Sequence, residues 1–205
     1  MPPRKLRAII FDIGRVLIGL DVARTVNSLS ANVALSPGEV WTALEKDPRW
    51  ADWQEGRMSP HDWHLHVTKR LGSPLSFKEF TQAWNLAMQP EALHDSALFA
   101  KLGKRYRLGL LSNTDPIHVA HMEARYDFFQ YFPARTYSCV LGSSKPSPLI
   151  FREALRASGV KAGEAVFIDD IAAYVDAARR LGMTGIHFQG AKQLAGQLRE
   201  LSIEV

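Results

Sequence analysis

Ala8-Ile9-Ile10-Phe11-Asp12-Ile13-Gly14-Arg15-Val16-Leu17 sets an unbroken apolar run directly against an aspartate and a glycine. Four consecutive apolar residues without polar alternation are what a strand buried on both faces requires, and such strands belong to parallel sheets covered by helices. Working outward, comparable runs recur: Leu108-Gly109-Leu110-Leu111 before Ser112, Ala165-Val166-Phe167-Ile168 before Asp169, and Thr184-Gly185-Ile186-His187-Phe188. Tyr137-Ser138-Cys139-Val140 is a weaker fifth. Helical segments lie between them, Ser147 to Ser158 and Ala172 to Leu181, the second closed by Gly182. This alternation predicts an α/β fold, a Rossmann-like doubly wound parallel sheet.

Between Asp21 and Leu93 no comparable strand run occurs. Helix starts recur instead: Ser36/Glu39 and Ser76/Glu79 have capping-box spacing and Ser59/Asp62 is a close variant. Pro37 and Pro60 take the first helical position, where a missing N–H costs nothing. The chain therefore divides into a core of residues 1–18 and 94–205 and an inserted small α-helical cap, a four-helix bundle, of residues 19–93. No repeat, low-complexity tract or flexible linker interrupts it.

With 205 residues, 46% hydrophobic and 22% charged, the chain is globular and too short for a multidomain machine. Its +4 charge, 25 Lys+Arg against 21 Asp+Glu, is small. The basic residues gather at Arg4, Lys5, Arg7 and at Lys101, Lys104, Arg105, Arg107, each stretch just ahead of an apolar run, so they read as solvated element ends and not as a nucleic-acid surface. Cys139 is alone and cannot form an internal disulfide. Met1 is followed by Pro-Pro-Arg-Lys-Leu-Arg and only a short apolar run, unlike a signal peptide, and no run of about 18 apolar residues exists. The expectation is a soluble cytoplasmic protein without nucleic-acid or membrane partners, and monomer and homodimer are equally compatible with it.

Three of the strand runs end in polar residues, Asp12, Ser112 and Asp169-Asp170, and ligands of open α/β sheets bind at the carboxyl ends of the strands. Each alone is ordinary turn or cap chemistry. Together, Phe11-Asp12-Ile13-Gly14-Arg15-Val16-Leu17, Leu111-Ser112-Asn113-Thr114, Ser144-Lys145-Pro146-Ser147-Pro148 and Phe167-Ile168-Asp169-Asp170, the last followed by Ala177-Ala178-Arg179 and Leu181-Gly182-Met183, form an ordered series. That series resembles the four motifs of the haloacid dehalogenase-like hydrolase superfamily. The branch it is most similar to contains the phosphatase domain of soluble epoxide hydrolase and bacterial sugar-1-phosphate phosphatases.

The resemblance implies a Mg²⁺-dependent phosphatase for a small phosphorylated metabolite, sugar phosphates among the candidates. Asp12 would attack phosphorus to give an aspartyl-phosphate. Lys145, Ser112 and Asn113 would bind the phosphate, and Asp12, the carbonyl of Gly14, Asp170 and, as an additional or outer ligand, Asp169 would hold the metal. Two departures stand out. Gly14 replaces the family's second aspartate, the general acid, worth about 10²–10⁴-fold in rate; Asp21 and His118 are the candidate substitutes, against plainer readings as a surface carboxylate and a helix-face histidine. Tyr174 replaces an asparagine usual in that branch. In the cap, Trp50, Trp53, Glu55 and Arg57 are the candidate specificity residues. Trp41, Trp63 and Trp84 read as core, and His61, His64 and His66 as a polar helix face. The competing functions are a metal-free 2-haloacid dehalogenase, for which Asp169-Asp170 is too acidic, and a catalytically impaired phosphometabolite-binding protein.

Overall fold

A computed structural model describes residues 5–205; the reading of the basic, proline-rich start falls partly on residues 1–4, outside the described residues. Strand β1 (Ala8–Phe11) is the centre of a parallel five-stranded sheet. On one side it pairs with β4 (Arg107–Ser112) and then β5 (Ala134–Tyr137); on the other with β6 (Ala165–Asp169) and then β7 (Thr184–His187). The expected doubly wound architecture is therefore present. Phe11 lies level with Leu110 and with Ile168, so the chain positions that follow, Asp12, Leu111-Ser112 and Asp169-Asp170, emerge together at one edge of the sheet.

The pleat sorts β1 between two cores. Ile9 and Phe11 face Phe99, Phe128 and Phe132, whereas Ala8 and Ile10 face Ile150, Phe151 and Phe167. Full burial of each such side chain contributes about 1.5–3 kcal/mol, which is why the run tolerates no polar residue before Asp12. Helices α6 (Ser96–Gly103), α7 (Pro116–Arg125), α9 (Pro148–Ser158), α10 (Ala172–Arg180) and α11 (Ala191–Glu200) belong to this core, with a short turn of helix, α8 (Ser138–Leu141), after β5. Ser147 caps α9 and Gly182, at φ 89°, follows the end of α10.

The insertion is helical: α1 (Val22–Ser30), α2 (Pro37–Glu45), α4 (Pro60–Leu71) and α5 (Phe77–Asn85), plus the single-turn α3 (Trp50–Gln54). Both capping boxes form, and Ser59 accepts from the Asp62 N–H. Trp53 and Trp63 stack at 5.4 Å in its centre, flanked by Phe80 and Trp84. Two readings change. The fifth strand is Ala134–Tyr137, and Ser138-Cys139-Val140 belongs to the turn of helix after it, closed by Gly142 at φ 77°. An antiparallel ribbon of β2 (Ile18–Leu20) and β3 (Met88–Ala92) carries the chain into and out of the cap. It was illegible because Met88-Gln89-Pro90-Glu91-Ala92 holds a proline and is mostly exposed, the mark of an edge strand without alternation.

Candidate active site

Asp12, at the end of β1, is buried and receives the Lys145 ammonium on Oδ1 at 2.6 Å. The same ammonium donates to Asp169 Oδ2 at 2.7 Å and to the Leu111 carbonyl at 3.2 Å, which uses all three of its protons. Burial of Lys145 favours the neutral amine, but the charges of Asp12 and Asp169 outweigh it and hold its pKa above the ordinary lysine value. Lys145 is therefore a fixed cation beside the candidate nucleophile.

Both oxygens of Asp169 already accept one hydrogen bond, Oδ1 from the Ile171 N–H at 2.8 Å and Oδ2 from Lys145. Asp170 is different. Its carboxylate is partly exposed, with the Arg15 guanidinium 3.9 Å away. Burial, then the charge of Asp12, raise the pKa of Asp170, with Arg15 opposing. Asp12, Asp169 and Asp170 each offer a carboxylate oxygen within 4.8 Å of the others. Three carboxylates around one buried ammonium leave an excess of negative charge and hard oxygen donors, a set that fits a Mg²⁺-sized cation. Gly14 lines the same cavity.

Asn113 serves the site indirectly. Its Oδ1 accepts from the Lys145 N–H and its Nδ2 donates to the Lys145 carbonyl, so its amide holds the Lys145 main chain at the cavity wall. Tyr174 lays its ring 5.1 Å from the Lys145 ammonium. The phenol that departs from the family pattern thus packs on this buried cation. Ser112 is buried at the end of β4 and lines the cavity with Asp12 and Lys145.

Above these residues is a cavity of about 330 Å³, roofed by the cap. Of the four cap residues expected to face it, Trp50 does. Trp53 is fully buried against Trp63, and Arg57 is exposed, paired with Asp52 at 2.7 Å and Glu55 at 2.6 Å; none of Trp53, Glu55 and Arg57 is on the cavity wall. Gln54, Trp41 and Trp84 are on the wall. A tryptophan one turn from Leu44 on α2 carries no sequence mark that separates wall from core. The Gly56 turn is instead a joint: a Cβ at Gly56, φ 69°, would stand 1.9 Å from the Cys139 carbonyl oxygen, and Ser138 Oγ donates to the Gln54 carbonyl at 2.7 Å.

A second joint lies across the cavity. Trp84 Nε1 donates to Asp115 Oδ2 at 3.2 Å, His118 Nδ1 pairs with the same oxygen at 2.8 Å, and His118 Nε2 reaches the Trp84 carbonyl at 3.2 Å. With an acceptor at each ring nitrogen, His118 is suited to the doubly protonated form. Burial opposes that form, but the Asp115 charge and hydrogen bonds prevail and raise its pKa. His118 lines the cavity yet has no free nitrogen, and Asp21, ahead of α1, is not on the wall. His64 and His66 are structural, bonded to the Leu75 carbonyl and to Asp47.

The family model for haloacid dehalogenase-like hydrolases matches residues 6–182. The chain belongs to the haloacid dehalogenase-like hydrolases. As such a hydrolase, it is 26% identical to a D-ribitol-5-phosphate phosphatase of Bacteroides thetaiotaomicron, covering 86% of this chain and 89% of the relative. It is 25% identical to a sesquiterpene phosphatase of Aspergillus oryzae, over 95% and 96% of the two chains. Among solved structures of haloacid dehalogenase-like enzymes, one from Bacteroides thetaiotaomicron in complex with magnesium and inorganic phosphate superposes with a TM-score of 0.81 at 24% identity, covering 91% of this chain and 96% of that one. Among the described residues, no helix of this hydrolase is long and apolar enough to cross a membrane.

Proposed function

We propose that this chain is a Mg²⁺-dependent phosphatase of small phosphorylated compounds that works through an aspartyl-phosphate on Asp12. The observation that carries the reading is Lys145, buried between Asp12 and Asp169 at the floor of a cavity where Asp170 adds a further carboxylate. An anionic nucleophile facing an anionic phosphate needs positive charge beside it, which Lys145 supplies and a bound Mg²⁺ would complete. The two relatives named for a polyol phosphate and a terpenoid phosphate differ in alcohol and share only the phosphate ester.

In the first step the second oxygen of Asp12, Oδ2, attacks phosphorus while the bond from phosphorus to the alcohol oxygen breaks, and the alcohol oxygen leaves as the alkoxide and takes its proton from water. In the second step water attacks phosphorus, the Asp12–phosphorus bond breaks, and inorganic phosphate leaves. Lys145 places positive charge beside the equatorial oxygens, and the Ser112 hydroxyl is available to donate to them. Asn113, Asp169 and Tyr174 fix Lys145 in that place. Asp12, Asp170 and the Gly14 carbonyl would hold Mg²⁺, which supplies further neutralisation of the phosphate charge when bound.

Phosphate release measured with Mg²⁺ and with excess chelator tests this reading. Activity should appear only with the metal, and Asp12→Asn should reduce it below a few per cent of wild type with the circular dichroism spectrum unchanged. Halide release from 2-haloacids in chelator would establish the dehalogenase reading instead. Phosphate binding without turnover of any ester would establish the binding-protein reading.

A further inference from the structure

The floor of the cavity handles the phosphate, so its roof must accept whatever the phosphate is esterified to. We propose, resting on the phosphatase reading, that the natural substrate is the phosphate of a compact apolar alcohol and not of a sugar or polyol. The roof is built from Val22 and Val26 of α1, Trp41 and Leu44 of α2, Trp50 of α3 and Trp84 of α5. Leu20 and Met88 of the connecting ribbon continue it.

The polar groups along this roof are almost all spoken for. The Thr25 hydroxyl donates to the Ala83 and Trp84 carbonyls at 2.9 and 3.1 Å. The Trp84 indole, Asp115 and His118 bond to one another. Gln54 and the indole N–H groups of Trp41 and Trp50 are the polar cap groups on the wall that these bonds leave available, among the described residues. A polyol chain carries several hydroxyls, each of which needs a partner once water is excluded. One amide and two indole donors offer a single acceptor among them and cannot serve them all, whereas an apolar body needs none and gains by covering three indoles.

Size narrows the class. A cavity of about 330 Å³ is at the lower end of the ~300–1,000 Å³ that small-molecule sites span, enough for a single ring or a short branched chain. An aliphatic and an aromatic alcohol satisfy the same wall, and the measurement separates them.

The experiment compares kcat/KM with saturating Mg²⁺ for four primary-alkyl phosphates of similar leaving-group acidity. Two are apolar, 3-methylbut-2-enyl phosphate and 2-phenylethyl phosphate; two are polar, ribitol 5-phosphate and glycerol 3-phosphate. Acetyl phosphate, too small to reach the roof, is the reference. An apolar wall discriminates roughly 10²-fold against a hydroxyl that fits but finds no partner, so the better apolar ester should exceed both polar ones by about that factor. Trp41→Gln, at a residue 37% exposed and therefore tolerant of a polar side chain, should lower the ratio of apolar ester to acetyl phosphate about tenfold. Polar esters turned over as well as the apolar ones, or a ratio unmoved by Trp41→Gln, would overturn the substrate class while leaving the phosphatase reading intact. No hydrolysis of any compound, acetyl phosphate included, would overturn both.

Discussion

Asn113 grips the main chain of Lys145 from both sides, its Oδ1 accepting from the lysine N–H at 2.7 Å and its Nδ2 donating to the lysine carbonyl at 3.0 Å. Residue 113 follows β4 and residue 145 precedes α9, so this pair of bonds ties two strand-end loops together. It sets the height at which the ammonium meets Asp12.

Removing the grip should therefore act on rate more than on binding. Misplacing a catalytic group by about 1 Å costs on the order of 10²-fold. Asn113→Ala is expected to lower kcat by roughly 10–100-fold with KM changed much less, and Asn113→Asp should not restore it, because a carboxylate cannot donate to the Lys145 carbonyl. Steady-state kinetics with saturating Mg²⁺ would read this directly.

Gly56 makes a different kind of demand. Its φ of 69° and the 1.9 Å that would separate a Cβ from the Cys139 carbonyl oxygen mean that any side chain must push the cap turn off the core. Left-handed backbone at a non-glycine residue costs about 1–3 kcal/mol before that clash is counted. Gly56→Ala should lower the melting temperature and also raise KM, since the displaced turn includes Gln54 on the cavity wall. A variant with wild-type melting temperature and KM would show that the turn does not seat the cap.

The Asp115–His118 pair gives the second joint a pH window. His118 has its pKa raised above the ordinary 6.5, so its contribution to stability is complete below about pH 6.5 and fades as pH rises through the raised value. Asp115 is also buried, but the His118 charge and its other hydrogen bonds lower its pKa below 3.8, so its contribution holds above that value and fades as pH falls through the lowered one. The stability lost in His118→Gln should thus be largest around pH 5–6 and shrink toward alkaline pH, as measured by denaturant melts across that range. A loss independent of pH would mean that His118 works by packing alone, consistent with its stack on Trp84 at 5.9 Å.

These joints mark where reading the sequence stopped. The buried runs ending at Asp12, Ser112 and Asp169 were legible because a parallel strand covered on both faces leaves an apolar signature that few alternatives share. The helix starts at Ser36, Ser59 and Ser76 were legible because capping is local chemistry between residues three apart. The β2–β3 ribbon was not, since Leu20 and its partner Met88 are 68 positions apart and meet only through the fold, and neither strand alternates. Nor was the division of labour among the cap tryptophans. Trp53 and Trp50 sit in one five-residue helix, yet one is sealed against Trp63 and the other opens on the cavity, a choice made by long-range packing. Tyr174 could have been found as a partner for Lys145 only by knowing that α10 starts beside the loop that carries the lysine.

Gly14 is the sharpest test of mechanism, because its backbone conformation and surroundings admit a side chain there. Gly14 is not one of the glycines with positive φ; the left-handed residue is its neighbour Arg15, at φ 58°. A Cβ at position 14 would meet Leu20 Cδ1 at 3.0 Å, the end of a flexible side chain that can turn aside. Neither proposed substitute acid is positioned to act: His118 has both ring nitrogens engaged and Asp21 is off the cavity wall. The wild-type rate should therefore fall steeply as the leaving group becomes less acidic, with aryl phosphates and sugar 1-phosphates ahead of any alkyl ester of equal fit. Gly14→Asp should flatten that slope by accelerating the poor leaving groups, within the 10²–10⁴-fold that general acid catalysis typically supplies. The assay is a linear free-energy plot of log kcat/KM against leaving-group pKa for both proteins with saturating Mg²⁺, since the added carboxylate increases the negative charge around Asp12. Equal, shallow slopes would show that a proton already reaches the leaving oxygen by another route, and Ser112 and Thr114, two of the hydroxyls on the cavity wall, would then be the positions to change.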